Sequence, residues 1–223
     1  MKKIIIVGSG YNKKLKKKKG CTYIFSNSSV LRAPKKFVKN LIISRSIIGE
    51  YKEMFQSKKN ILGLDQLESN NIRRYKIECL KGIYCKELIV YAKKSNLIKE
   101  RIKKIGIQFK YIYFISDLFI FFLLIKYINF RKIFDLFFFN KILFIKFVIK
   151  ILISRRLISN FKPSTGAAAI LWSKQKYPQS KIFIDGIGCN KQVYYPIKNK
   201  LIKFRYNLSH RKIDKLIIKT LLY

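Results

Sequence analysis

The chain has 223 residues, with 49 Lys or Arg against 11 Asp or Glu, a formal net charge of +38. Hydrophobic residues make up 49% and aromatic ones 15%, which excludes wholesale disorder, and the length suits one domain with a real core. The charge calls for anionic partners, whether nucleic acid, acidic lipid or a phosphorylated substrate, although a Lys-, Ile- and Asn-rich composition also reflects AT-rich coding.

Lys3 to Val7 is an apolar strand that runs straight into Gly8-Ser9-Gly10. A strand feeding a glycine turn is how a Rossmann-like nucleotide-binding unit begins, because glycines let backbone N–H groups approach phosphate. No third glycine stands at the dinucleotide spacing. The run Lys13 to Lys19 reads as a solvated basic face. Thr22 to Phe25 predicts a second strand ending in the polar loop Ser26-Asn27-Ser28-Ser29, which suits either hydrogen bonds to a base or sugar or a plain turn. Leu41 to Ile48, Glu50 to Gln56 and Ile61 to Glu68 form a mixed stretch of short strand and helix. Cys85 to Tyr91 is β-branched and strand-like, Asn96 to Ile105 a helix stopped by Gly106, and Ile107 to Ile115 a further strand.

From Asp117 to Ser154 the chain changes character: Phe, Leu and Ile dominate, punctuated by Lys126, Arg131, Lys132, Lys141, Lys146 and Lys150. Its longest uncharged run, Leu118 to Ile125, is far short of the roughly 18 to 20 residues that span a bilayer. Residues 111–156 read as an apolar, Lys-rich helical insertion, packed in the core, lying against acidic headgroups or serving oligomerisation.

Lys162 to Gly188 has the densest signal. Pro163 suits a helix entry, Ser164 and Thr165 can cap its N–H groups, and Gly166 with three alanines allows close approach of a backbone or ligand. Ile182 to Ile184 is a short strand broken by Asp185-Gly186-Ile187-Gly188, at the end where α/β folds bind ligands. Past it come two phenols, Tyr194 and Tyr195, and then Asn207 to Asp214, which opens a C-terminal helix with Ser209 as cap and His210 at its mouth. A histidine there suits proton transfer as well as a structural role. Cys21, Cys79, Cys85 and Cys189 form no C-x-x-C pair and His210 is the single histidine, so no metal site is expected and reduced thiols suit a cytosolic setting. Met1-Lys2-Lys3 mimics a signal peptide, but the apolar run stops after Val7 without a cleavage site.

In their order, MKKIIIVGSG, PSTGAAAI, KIFIDGIG, two tyrosines and a late histidine before an acid resemble the sialyltransferases. The likeness is to the bacterial Rossmann-like family, and PSTG also resembles the small sialyl motif of the animal family. About 50 residues in three islands carry it. The resemblance implies inverting, metal-independent transfer of sialic acid or a related nonulosonate from a CMP-activated donor to a sugar hydroxyl, with no cofactor besides the CMP-sugar substrate. It implies that Gly8, Ser9 and Gly10 line the nucleotide, Asn27 contacts the cytidine, and Ser164, Thr165 and Gly166 hold the donor carboxylate, with Gly186 at the glycine turn. Tyr194 and Tyr195 would stabilise the departing phosphate and His210 would be the general base. Ser9 stands where the bacterial enzymes tend to have Asn, Asn190 falls near their first tyrosine, and His210 to Asp214 is one residue shorter than usual. These departures leave both an active and a degenerate enzyme open.

The sequence reading is therefore a single Rossmann-like α/β domain over residues 1–223, with a parallel central sheet and the helical insertion. It is expected to be cytoplasmic and peripheral on the inner face of an acidic membrane, with a nucleotide-sugar donor and a glycan acceptor as partners. The rival readings are a basic nucleic-acid-binding protein, for which no groove-reading or base-stacking motif is present, and a non-catalytic membrane-surface protein.

Overall fold

Strands form where isoleucine, valine and aromatic residues run without interruption, because the middle of a parallel sheet is covered on both faces. The computed structural model describes residues 2–8, 15–16, 18–33, 39–44, 79–137, 141–154, 162–187 and 211–222. Six strands appear: β1 (Lys3–Val7), β2 (Cys21–Ser26), β3 (Asn40–Ser44), β4 (Tyr84–Tyr91), β5 (Gln108–Phe114) and β6 (Lys181–Asp185). All pair in parallel, in the order β5-β4-β3-β2-β1-β6. Helices flank the sheet, so the protein is a Rossmann-like α/β domain, as its sequence predicts. The predicted segments Glu50 to Gln56 and Ile61 to Glu68 lie outside the described residues.

Each face has its own core. Ile4, Ile6, Ile24, Ile42, Ile89 and Tyr91 point to one side, and Ile5, Val7, Tyr23, Phe25, Leu41, Ile43, Leu88 and Val90 to the other. On the second side, α1 (Asn96–Ile105) buries Ile98, Ile102 and Ile105. Ser95 caps its start, accepting from the Ile98 N–H, and Gly106 ends it in the left-handed region at φ 75°. The first side carries α2 (Asp117–Tyr127), α3 (Phe130–Phe137), α4 (Lys141–Ser154), α5 (Thr165–Lys176) and α6 (Arg211–Leu222). Ala167, Ala168 and Ala169 have no exposed surface and bring α5 close over β1, β2 and β3.

The far end of α5 is fixed by charge and aromatic rings together. Lys176 Nζ lies 2.6 Å from a Glu87 carboxylate oxygen, with the rings of Tyr113, Trp172 and Tyr177 at 4.4, 4.8 and 5.6 Å. Burial disfavours its charge, but the hydrogen bond to Glu87 together with the charges of Tyr177, Glu87 and Tyr113 outweighs that and raises its pKa. The sequence reads residues 111–115 both as the end of a strand and as the start of the helical segment 111–156, and the strand is what forms. Residues 111–114 complete β5, and the helices begin only at Asp117, where Ser116 accepts from the Phe119 N–H at 3.1 Å. Among the described residues no helix is long and apolar enough to cross a membrane.

Cys85 has no exposed surface, and burial pushes its thiol up to about 12 from an ordinary 9.0. The folded chain therefore keeps a proton there that the unfolded chain releases. Stability should be constant on this account below pH 9 and fall above it, by roughly 1.4 kcal/mol per pH unit until the folded thiol itself titrates. Urea unfolding at pH 8 to 10 should show a steeper decline for the native sequence than for Cys85→Ala. Equal slopes would contradict the assignment.

Candidate functional site

The chain leaves β1 toward β2 and later returns to pair β6 along the other edge of β1. The first crossover, β1 to β2, and the last, β5 to β6, thus end on opposite edges of β1, and the crevice between the ends of β1 and β6 is the topological switch point where open α/β sheets bind ligands. The end of β1 is closely bonded. The Val7 carbonyl accepts from the hydroxyls of Ser26 at 2.9 Å and Ser29 at 2.8 Å, and the Gly8 N–H donates to the Asp185 carbonyl at 2.7 Å.

Arg32 ties these strand ends together. It ends a 3-10 helix, Asn27–Arg32, and its side chain is only 4% exposed. Nη1 donates to the carbonyls of Gly8 at 3.0 Å and Asp185 at 3.3 Å, and Nη2 pairs with the Asp185 carboxylate at 2.7 Å. Asp185 is 33% exposed, so the buried cation is neutralised by a group at the rim of the crevice. Asn27 starts the 3-10 helix at φ 52°, a left-handed conformation that asparagine tolerates. Its Oδ1 accepts from the Ser44 N–H at 3.2 Å, linking the ends of β2 and β3.

The Pro163-Ser164-Thr165-Gly166 corner is the N-terminus of α5. The Ser164 hydroxyl accepts from the Ala167 N–H at 3.3 Å, and the Ser164 N–H donates to an Asp214 carboxylate oxygen at 2.9 Å. Asp214 lies in the first turn of α6 and is buried. Its charge suits the positive end of the α5 dipole. Across the crevice, the Ile187 side chain fills the gap between Gly166 and Gly8. A methyl group on Gly166 would come 3.0 Å from Ile187 carbons, and one on Gly8 would strike the Gly186 carbonyl oxygen and reach 2.6 Å from Ile187 Cγ1. Gly186 turns the chain there at φ 69°, a conformation that favours glycine.

Beside this corner four ionisable groups gather at the end of β4. Lys162 Nζ is 3.2 Å from Asp117 Oδ1 and 4.9 Å from the centre of the Tyr91 ring. Burial, then the carboxylate of Asp117 and then that of Asp214, push the Tyr91 phenol well above its usual range. It stays neutral and keeps its proton to donate.

Of the residues singled out from the sequence, Gly8, Gly166 and Gly186 meet around Ile187, while Ser164 and Thr165 sit at the helix start beside them and Asn27 at the end of the neighbouring strand β2. Ser9, Gly10, Tyr194, Tyr195 and His210 lie outside the described residues, as do Asn190, Cys189 and Ser209. Sequence reasoning missed Arg32, Asp185 and Asp214 as members of this site. The signal for Arg32 was an arginine, the first in the chain, after a run of lysines.

The two glycines should respond differently to the same substitution. Gly8→Ala drives a methyl group into backbone and should cost about 2 to 3 kcal/mol. Gly166→Ala meets only the movable end of a side chain and should change stability by about 1 kcal/mol or less, since alanine also favours the helix. Thermal or urea denaturation of both variants checks this, and equal losses would contradict the geometry.

Comparison of the chain with protein-family models, curated proteins and solved structures gives no match.

Proposed function

We propose that this protein is a sialyltransferase-like glycosyltransferase. It moves sialic acid or a related nonulosonate from a CMP-activated donor to a sugar hydroxyl, with inversion and without a metal, at the cytoplasmic face of a membrane. The observation that carries the reading is the meeting of the α5 N-terminus with the Gly8 and Gly186 turns at the switch point, where the Asp214 to Ser164 hydrogen bond also fastens the first turn of α6. A helix N-terminus beside glycine turns is a fitting seat for a carboxylate and a phosphate.

In this proposal the donor carboxylate binds Thr165 and Gly166 at the first turn of α5, with Ser164 supporting that turn. Ile187 swings away about Gly186 to admit it. Gly8, Ser9 and Gly10 face the nucleotide and Asn27 the cytidine. The acceptor hydroxyl oxygen attacks the anomeric carbon from the side opposite the phosphate. One C–O bond forms, the bond to CMP breaks, and CMP leaves with the electron pair. Tyr194 and Tyr195 donate hydrogen bonds to the departing phosphate, and His210, which precedes α6 by one residue, takes the acceptor proton.

A panel of CMP- and UDP-sugars tested for binding and hydrolysis examines the donor. Binding and turnover with CMP-sialic acid or another CMP-nonulosonate are expected. His210→Ala should retain donor binding while turnover drops by roughly 10²- to 10⁴-fold. No response to any CMP-nonulosonate, or an unchanged rate in His210→Ala, would overturn the reading. A nucleic-acid binder would instead hold DNA or RNA with an affinity that falls steeply as salt rises.

A further inference from the structure

α4 carries apolar residues on two faces, one buried and one exposed. Phe144 and Ile151 are buried, and the Phe144 ring meets Phe130 at 4.6 Å and Phe134 at 5.3 Å. On the outer side Ile142, Ile145, Ile149, Leu152 and Ile153 are exposed, from 48% at Ile149 to 79% at Ile153. At 3.6 residues per turn these five positions fall within an arc of about 100°, so they form one continuous stripe along the helix. A stripe of five large aliphatic residues facing water is a costly surface to leave uncovered.

Its charged surroundings select what covers it. The sequence of α4 holds three lysines and no acid, and between residues 118 and 164 nine Lys or Arg stand against one acid, Asp135. Lys146 beside the stripe is exposed, as are Arg131 and Lys132 on α3, the helix whose Phe130 and Phe134 pack against α4. A second copy of a chain with net charge +38 would bring like charge against like. An anionic surface with an apolar interior satisfies both the stripe and its lysines. α4 has 14 residues, enough to lie in an interface and too few to span it.

We infer that the outer face of α4 is a membrane-docking surface. Ile142, Ile145, Ile149, Leu152 and Ile153 enter the headgroup boundary of a bilayer rich in anionic phospholipid, and the neighbouring lysines and arginines pair with its phosphates. The inference deepens the membrane-side part of the proposed function and rests on that part alone. Donor chemistry can fail without touching it.

Co-sedimentation of the full chain with vesicles tests it, using phosphatidylcholine alone and phosphatidylcholine with about 30 mol% phosphatidylglycerol. Binding to the anionic vesicles should exceed binding to the neutral ones by at least about tenfold at low salt. The double variant Ile145→Gln/Ile149→Gln changes only exposed positions and should keep the native melting curve while losing roughly tenfold or more of that binding. Equal binding by the double variant would show attraction without insertion and overturn the inference. So would equal binding to both vesicle types. A dimer in sedimentation velocity that the double variant disperses, with no vesicle binding, would assign the stripe to a second copy and overturn it as well.

Discussion

The crevice depends on one buried guanidinium. A parallel sheet that reverses its strand order must bring together two strand ends, here β1 and β6, from residues more than 170 apart. At that end lie the carbonyls of Gly8, just past β1, and of Asp185, the last residue of β6. Arg32 donates to both, and its remaining charge is met by the Asp185 carboxylate. A lysine could not do the same, because an ammonium is a single point charge whereas the planar fork of arginine reaches several acceptors at fixed angles. Removing the fork would leave the Gly8 carbonyl and a half-buried carboxylate without it, a loss of roughly 3 kcal/mol by the usual cost of breaking such a pair.

With the strand ends held, the other side of the crevice is set by how closely α5 can approach. Three consecutive alanines without exposed surface allow a small helix–sheet separation, and the two ends of α5 are anchored by different means. One end is gripped by Glu87 and three aromatic rings around Lys176, the other by the Asp214 carboxylate on the Ser164 N–H. Between these anchors Gly166 faces Gly8 with Ile187 in the gap. The glycines therefore have a packing role in the unliganded fold. That role is compatible with ligand approach, because the group filling the gap is a side chain and not backbone. A ligand would replace apolar contacts of Ile187 with hydrogen bonds to the same backbone.

Strands were readable in the sequence because both-face burial leaves uninterrupted β-branched runs, as in Ile4 to Val7 and Leu88 to Tyr91. The α1 stop at Gly106 and the Ser164 cap were readable because their chemistry is local: one needs a left-handed residue, the other a hydroxyl three residues from an N–H. The helical segment was harder. Aromatic residues from Tyr111 to Phe114 look alike in a strand and in a helix, so they fit both the strand Ile107 to Ile115 and the helical segment from 111, and an apolar helix does not disclose which side is covered. The clamps of the site were not readable at all. Arg32 meets Asp185 across 153 positions and Ser164 meets Asp214 across 50, and nothing near either residue announces its partner. Asn27 shows the same limit: a polar loop was evident, but its bond to Ser44 depends on strands β2 and β3 lying side by side.

The acids explain how so basic a chain stays folded. Of the six acidic residues within the described segments, four are engaged at junctions: Glu87 with Lys176, Asp117 with Lys162, Asp185 with Arg32, and Asp214 with the start of α5. Each sits where two elements must meet, and each is at least partly shielded from solvent, so its attraction is screened less by salt than a surface pair would be. Among the described residues most of the negative charge is thus held inside the fold, and only Glu100 and Asp135 are left on its surface. That division gives the surface a positive field reaching about a Debye length, on the order of 8 to 10 Å. Such a field draws any anion toward the molecule without choosing among them. Choice has to come from the short-range features, the glycine-lined crevice under Ile187 and the aliphatic stripe on α4, which differ in shape and polarity and so suit different anions.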